Sequence, residues 1–93
     1  MAVTVRLPDS LRTLAGGSSA LEIDRARSVA EVLDRLALDH PALERRLRDE
    51  QGVLRPHVNV FVGTENIRDL DGAATGLRDG AEVTILPAVS GGC

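Results

Sequence analysis

The residues whose types and positions most clearly suggest a chemical reaction are the last three given, Gly91, Gly92 and Cys93. Glycine has no Cβ, so a glycine carbonyl near a chain end can enter a narrow site on another protein and stay open to attack. Residues 88–93 carry too little apolar surface to build a core, so we predict an exposed, mobile tail. The pattern raises the hypothesis that the chain end itself is the reactive part of the molecule.

Composition limits the remaining possibilities. The chain has 93 residues and 43% apolar residues, enough for one domain with a modest core. Its net charge of −3 argues against nucleic-acid binding, which needs a basic face. No apolar run approaches the roughly 20 residues of a membrane span, and the start lacks the features of a signal peptide. We therefore predict a cytoplasmic protein with no nucleic-acid or membrane partner.

Few side chains in the sequence suit catalysis. The single cysteine, Cys93, excludes an internal disulfide and a cysteine-based metal cluster. His40 and His57 fall at a predicted helix end and before a predicted strand, where structural or surface roles are more common. Asp79 and Glu82 resemble a pair of catalytic carboxylates, but their place beside Gly80 suits a turn. We therefore predict that the chain is not an enzyme and binds no metal or cofactor itself.

A strand precedes this reactive end and must position it, because residues 83–86 alternate in the period of a pleated strand. Pro87 has no N–H to donate to a sheet ladder, so the strand is predicted to end there. Similar alternation predicts strands at 3–7, 20–23 and 58–62. A brief fourth strand is predicted to start at Ile67, after a turn over 63–66. Residues 8–19 and 69–75 are predicted to be loops.

One main helix is predicted after the second strand. Ser28 can cap its first turn, and Glu31 three residues later completes a capping box. Apolar residues follow at helical spacing and form one stripe: Val29, Val32, Leu33 and Leu36. The helix is predicted to end at His40, because the next residue is proline. A second short helix is predicted over 42–48.

This order of elements predicts an α+β fold: a mixed sheet of four to five strands packed on one main helix, with the first and last strands parallel in the centre. It is the ubiquitin-like β-grasp arrangement, predicted to span residues 1–87, with 88–93 as the tail. Alternation also predicts which side chains face the helix: Val3, Val5, Leu7, Val58, Val60, Val62, Val83 and Ile85. Arg6, Phe61 and Leu86 are predicted to lie on the open face, where they would form a partner-binding surface.

The end of the chain resembles that of a known family. Residues 77–87 read L-R-D-G-A-E-V-T-I-L-P, which resembles the L-x-D-G-D-E-V-x-I-x-P ending of the ThiS/MoaD ubiquitin-like sulfur carriers, also followed by Gly-Gly. Residues 59–63 are similar to a strand of that family. Residues 85–92 are most similar to the ending of CysO-type carriers of cysteine biosynthesis. The departures are Ala81, where the family often has an acidic residue, and Cys93, which follows the diglycine.

The resemblance implies a reaction at Gly92. In the family, a separate E1-like adenylating enzyme uses ATP to activate the terminal carboxylate, with the two glycines inserted in its active site. Sulfur then displaces AMP and leaves a thiocarboxylate, which a sulfur-accepting synthase (cysteine-synthase-like or another) consumes. The chain would thus be a protein cosubstrate.

Cys93 conflicts with that reaction, because it ties the Gly92 carbonyl into an amide. The resemblance implies a JAMM-type zinc metalloprotease that removes Cys93. A thiol function for Cys93 is the rival interpretation. The alternatives for the whole chain are a molybdopterin-synthase small subunit, a modifier joined to lysines of other proteins through Gly92, and a β-grasp binding module with an inert tail.

Overall fold

The fold was analysed in a computed structural model that describes residues 2–87. The predictions for residues 88–93, including Gly91, Gly92 and Cys93, lie outside this range.

Five strands and three short or medium helices make up the described domain. The strands are β1 Ala2–Arg6, β2 Ala20–Asp24, β3 Val58–Val62, β4 Glu65–Asn66 and β5 Glu82–Pro87. The α-helices are α1 Asp9–Arg12, α2 Val29–Asp39 and α3 Pro41–Leu47. Three 3₁₀ turns complete the set, at Thr13–Ala15, Ile67–Asp69 and Gly72–Ala74.

The strands form one mixed sheet in the order β2-β1-β5-β3-β4. β1 and β5 run parallel, with Val5 opposite Val83, while every other neighbouring pair is antiparallel. α2, with 11 residues, is the main helix. The arrangement confirms the predicted ubiquitin-like β-grasp fold and the parallel pairing of the first and last strands.

The main helix begins as its sequence predicts, with one difference in the cap. The Ser28 hydroxyl accepts a hydrogen bond from the Glu31 N–H at 3.2 Å. The Glu31 carboxylate accepts from the Arg27 N–H at 2.9 Å, one residue before the position that a capping box would use. All four residues of the predicted apolar stripe are buried: Val29, Val32, Leu33 and Leu36. The short helix α3 starts at Pro41, where proline's fixed φ suits a first helical position.

Three segments differ from the sequence-based expectation. Residues 9–15, predicted as a loop, form α1 and a 3₁₀ turn that bury Leu11 and Ala15. Helices this short depend on tertiary burial and leave no periodic pattern to detect. The predicted loop over 69–75 likewise contains the 3₁₀ turn Gly72–Ala74, and it buries Thr75.

The fourth strand also lies elsewhere than predicted. Only Gly63 and Thr64 separate β3 from β4, which gives a two-residue hairpin turn with Gly63 at φ 63°. The chain therefore rejoins the sheet at Glu65, two residues before the predicted start. Asn66 then accepts a hydrogen bond from the Arg68 N–H at 2.9 Å and caps a 3₁₀ turn, in which Ile67 is buried.

The core lies between the sheet and the two longer helices. Alternation along β1 and β5 buries Val3, Val5, Val83 and Ile85, as predicted. Val62 is only partly buried, although it packs against the core from the predicted face. One face of the sheet is therefore covered by helices.

The two leucines near the end of α2 provide a matched test of this core. Leu36 is fully buried, whereas Leu38 is 77% exposed. We expect Leu36→Ala to lower the free energy of unfolding by about 3 kcal/mol, because it removes buried methyl groups and leaves a cavity. Leu38→Ala should change it by less than about 0.5 kcal/mol. Urea unfolding of both variants measures the difference; equal losses would contradict the assigned helix face.

Candidate functional site

The chain leaves the sheet from its central strand. Pro87, the last described residue, pairs with Val58 at the end of β5, and β5 has a neighbouring strand on each side. Gly92, the residue predicted to react, lies five positions after Pro87. Gly91, predicted to insert with it into a partner's site, precedes it, and the processing residue Cys93 follows it. They lie beyond the described range, so the geometry that bears on them is that of their attachment point.

A tight turn fixes the beginning of β5 against β1. The Asp79 carboxylate accepts a hydrogen bond from the Ala2 N–H at 2.8 Å, and the Gly80 N–H donates to the Ala2 carbonyl at 2.8 Å. Gly80 has φ 81°, a conformation that disfavours residues with a Cβ. The Thr4 N–H donates to the Ala81 carbonyl at 3.0 Å. Asp79 therefore serves the turn, as the sequence predicted.

The three residues predicted for the partner surface lie together on the open face of the sheet. Arg6 and Phe61 flank Thr84 in one row across β1, β5 and β3. Leu86 stands two residues along β5 from Thr84 and is 43% exposed. Phe61 is half-buried rather than buried, which agrees with the predicted face. We name the set Arg6, Phe61 and Leu86 the open-face patch.

The charge on this patch is partly neutralised within the domain. Arg6 Nε lies 2.8 Å from Glu82 Oε2, and the two side chains are 56% and 48% exposed. An ion pair so open to solvent contributes at most about 1 kcal/mol. A partner could therefore replace either half of it at little cost. Glu82, predicted to serve the turn together with Asp79, is instead the first residue of β5 and pairs with Arg6. Its two-residue offset from Thr84 places it on the same face as that residue.

A polar cluster borders the patch on the β3 side. Arg68 donates from Nη1 to the Asn59 side-chain oxygen at 2.7 Å and from Nη2 to the Pro56 carbonyl at 3.1 Å. Asn59 lies opposite Leu86, and Asn66 lies opposite Phe61. Sequence reasoning missed this cluster because Arg68 follows a turn whose path no pattern specified. The result is an apolar centre with a polar border, the usual composition of a protein interface.

The described residues contain no set of side chains arranged for catalysis. His40 lies at the junction of α2 and α3, whereas His57 is exposed just before β3. Within residues 2–87, no group of three or more histidine, cysteine, aspartate or glutamate side chains could hold a metal ion. None of the helices described is both long and apolar enough to cross a bilayer.

Known proteins resemble the chain over almost its full length. It is 37% identical to the sulfur carrier protein CysO of Mycobacterium tuberculosis, over 99% of this chain and 100% of that protein. It is 36% identical to small archaeal modifier protein 3 of Haloferax volcanii, over 99% of this chain and 100% of the relative.

Solved structures of proteins from the same group also match the fold of this chain. A chain in the crystal structure of the Amycolatopsis orientalis BexX/CysO complex matches with a TM-score of 0.86 and 36% identity, covering 96% of this chain and 98% of that one. The model of the ThiS family matches residues 5–92, which include all of the β-grasp domain except the first three residues of β1 and run through the diglycine. This chain therefore belongs to the ThiS family.

Proposed function

We propose that this protein is a sulfur carrier whose reactive atom is the carboxyl carbon of Gly92. The observation that carries the proposal is the extent of the family match, which reaches residue 92 and stops before Cys93. The relatives called sulfur carriers support it, as does the exit of the chain from the central strand of the sheet. The chain is a protein cosubstrate in this account, and its partners perform the catalysis.

The proposed loading occurs in two displacements. A Gly92 carboxylate oxygen attacks the α-phosphorus of ATP on an E1-like adenylating and sulfurtransferase enzyme, and pyrophosphate leaves. A sulfur nucleophile then attacks the acyl carbon, AMP leaves, and the chain ends in a thiocarboxylate. Gly91 and Gly92 lack Cβ atoms and can occupy a narrow active site. A cysteine-synthase-like enzyme, or another synthase that makes a sulfur-containing metabolite, then accepts the sulfur.

Cys93 must be removed first. In the encoded chain the Gly92 carbonyl belongs to a peptide bond, and an amide carbonyl offers no carboxylate to attack ATP. We propose that a JAMM-type zinc metalloprotease hydrolyses the Gly92–Cys93 bond and releases cysteine. Water supplies the second carboxylate oxygen, so the processed chain ends at residue 92 with the group that loading requires.

Two forms of the chain test loading and processing together. A chain ending at residue 92, incubated with ATP, the activating enzyme and sulfide, should gain the mass difference between sulfur and oxygen. The full chain ending at Cys93 should not gain it, because its Gly92 carboxylate is blocked. Intact-protein mass spectrometry measures both. Failure of the shorter chain to load would contradict the carrier function, and loading of the full chain at Gly92 without protease would contradict the processing step.

A second function, that of a protein modifier, is supported by the 36% identity to small archaeal modifier protein 3. In that case the activated Gly92 carbonyl would be attacked by a lysine amine of another protein and not by sulfur. The chain contains no lysine, so it could not form lysine-linked chains of itself. Gly92–lysine isopeptides in a cell lysate, found without any thiocarboxylate, would favour the modifier function over the carrier function.

The open-face patch is proposed to contact the activating enzyme. Phe61→Asp should weaken that complex by about tenfold or more, because it places a charge in the apolar centre of the interface. Leu38→Asp makes the same chemical change on an exposed leucine of α2, outside the patch, and should leave the affinity unchanged. Titration calorimetry of both folded variants against the enzyme measures the effect. Equal affinities for the two variants would place the interface elsewhere.

A further inference from the structure

A small groove lies directly beside the point where the described chain ends. Pro87 forms part of its wall, and the buried side chains of Leu11, Leu47 and Val58 line it from within. Its volume is about 240 Å³. That is below the roughly 300 Å³ at which small-molecule pockets begin, so the groove suits a slim chain better than a cofactor.

The rim of this groove carries positive charge. Arg46 is exposed on α3 and lines the groove. Among residues 2–87 it forms no ion pair and donates no side-chain hydrogen bond, whereas neighbouring Arg48 is held by Glu44 and Asp34. His57, also on the rim, immediately precedes Val58, the partner of Pro87 in the sheet. The groove therefore offers a cation and a polar ring next to an apolar floor.

The segment that follows Pro87 is short, carries mostly small side chains and ends in a negative charge, which complements the positive rim of the groove. Six residues remain, which span at most about 20 Å when extended. The segment has one larger apolar side chain, Val89, and otherwise only small residues before its terminal α-carboxylate.

We propose that residues 88–93 dock in this groove, with the terminal α-carboxylate paired with the Arg46 guanidinium and Val89 against the apolar floor. The same groove would receive the Gly92 carboxylate after processing. The docking does not depend on the sulfur-carrier function. Where that function holds, docking reduces the fraction of chain ends that are free to enter a partner's active site. The apparent affinity for that partner is then the intrinsic affinity multiplied by the free fraction.

Cys93 is the single thiol in the sequence, so a spin label that reacts with thiols attaches at that residue alone. A nitroxide attached to Cys93 of the full-length protein broadens the amide signals near it in nitrogen-15 NMR spectra. We expect strong broadening at Leu11 and Leu47, inside the groove. Arg46→Glu should relieve it, with a drop of about threefold in the ratio of docked to undocked chain, the effect of losing one exposed ion pair.

Two matched variants isolate the role of Arg46. Arg45→Glu makes the same charge change one residue earlier on α3, outside the groove lining, and should keep the broadening. Arg46→Lys preserves the positive charge and should also keep it. The amide spectra themselves report whether each variant is folded. Equal broadening in the Arg46→Glu and Arg45→Glu proteins would overturn the proposal, because a tether at Pro87 would then explain the whole effect.

Discussion

The parallel pairing of β1 with β5 is the constraint on which the rest of the structure depends. It joins residues 77 positions apart, as in the hydrogen bond from Ala2 to Asp79. Closing so long a loop costs conformational entropy that local contacts do not recover. Burial of Val5 and Val83 on one side of the pair, together with the Asp79–Gly80 turn, offsets that cost. β3 pairs with the other side of β5, and the main helix α2 packs on one face of the same sheet.

This constraint determines where the chain end emerges. β1 pairs with the first half of β5, over residues 82–84, and β3 pairs with β5 as far as Pro87, so the chain leaves the sheet beside Val58. On one face lies the open-face patch, where Leu86 is the last residue before Pro87. Beside Pro87 lies the groove with Arg46 at its rim. The folded domain thus supplies two surfaces next to one chain end, while the proposed chemistry needs only the terminal glycine and the active sites of partners.

Sequence reasoning succeeded where a repeating pattern had one physical cause. Alternation in β1, β3 and β5 identified the buried face, and the spacing of Val29 to Leu36 identified the helix stripe. It failed where an element depends on contacts with residues far away in the sequence. Helix α1 forms because Leu11 is buried in the core, and a four-residue helix is too short to show a periodic pattern. The position of β4 depended on a two-residue turn at Gly63, and the Arg68 cluster depended on that turn. The open-face patch could be predicted, but its pairing of Arg6 with Glu82 needed the register of two strands.

If the chain end is presented from a fixed strand, β5 must be held as firmly as any other part of the domain. Native-state hydrogen exchange of the β5 amides measures this most directly. We expect the amides of Val83 and Ile85 to exchange only through global unfolding, with an opening free energy equal to the free energy of unfolding measured in urea. A clearly lower opening free energy in β5 than in α2 would contradict it, because β5 would then separate from β1 while the domain stays folded.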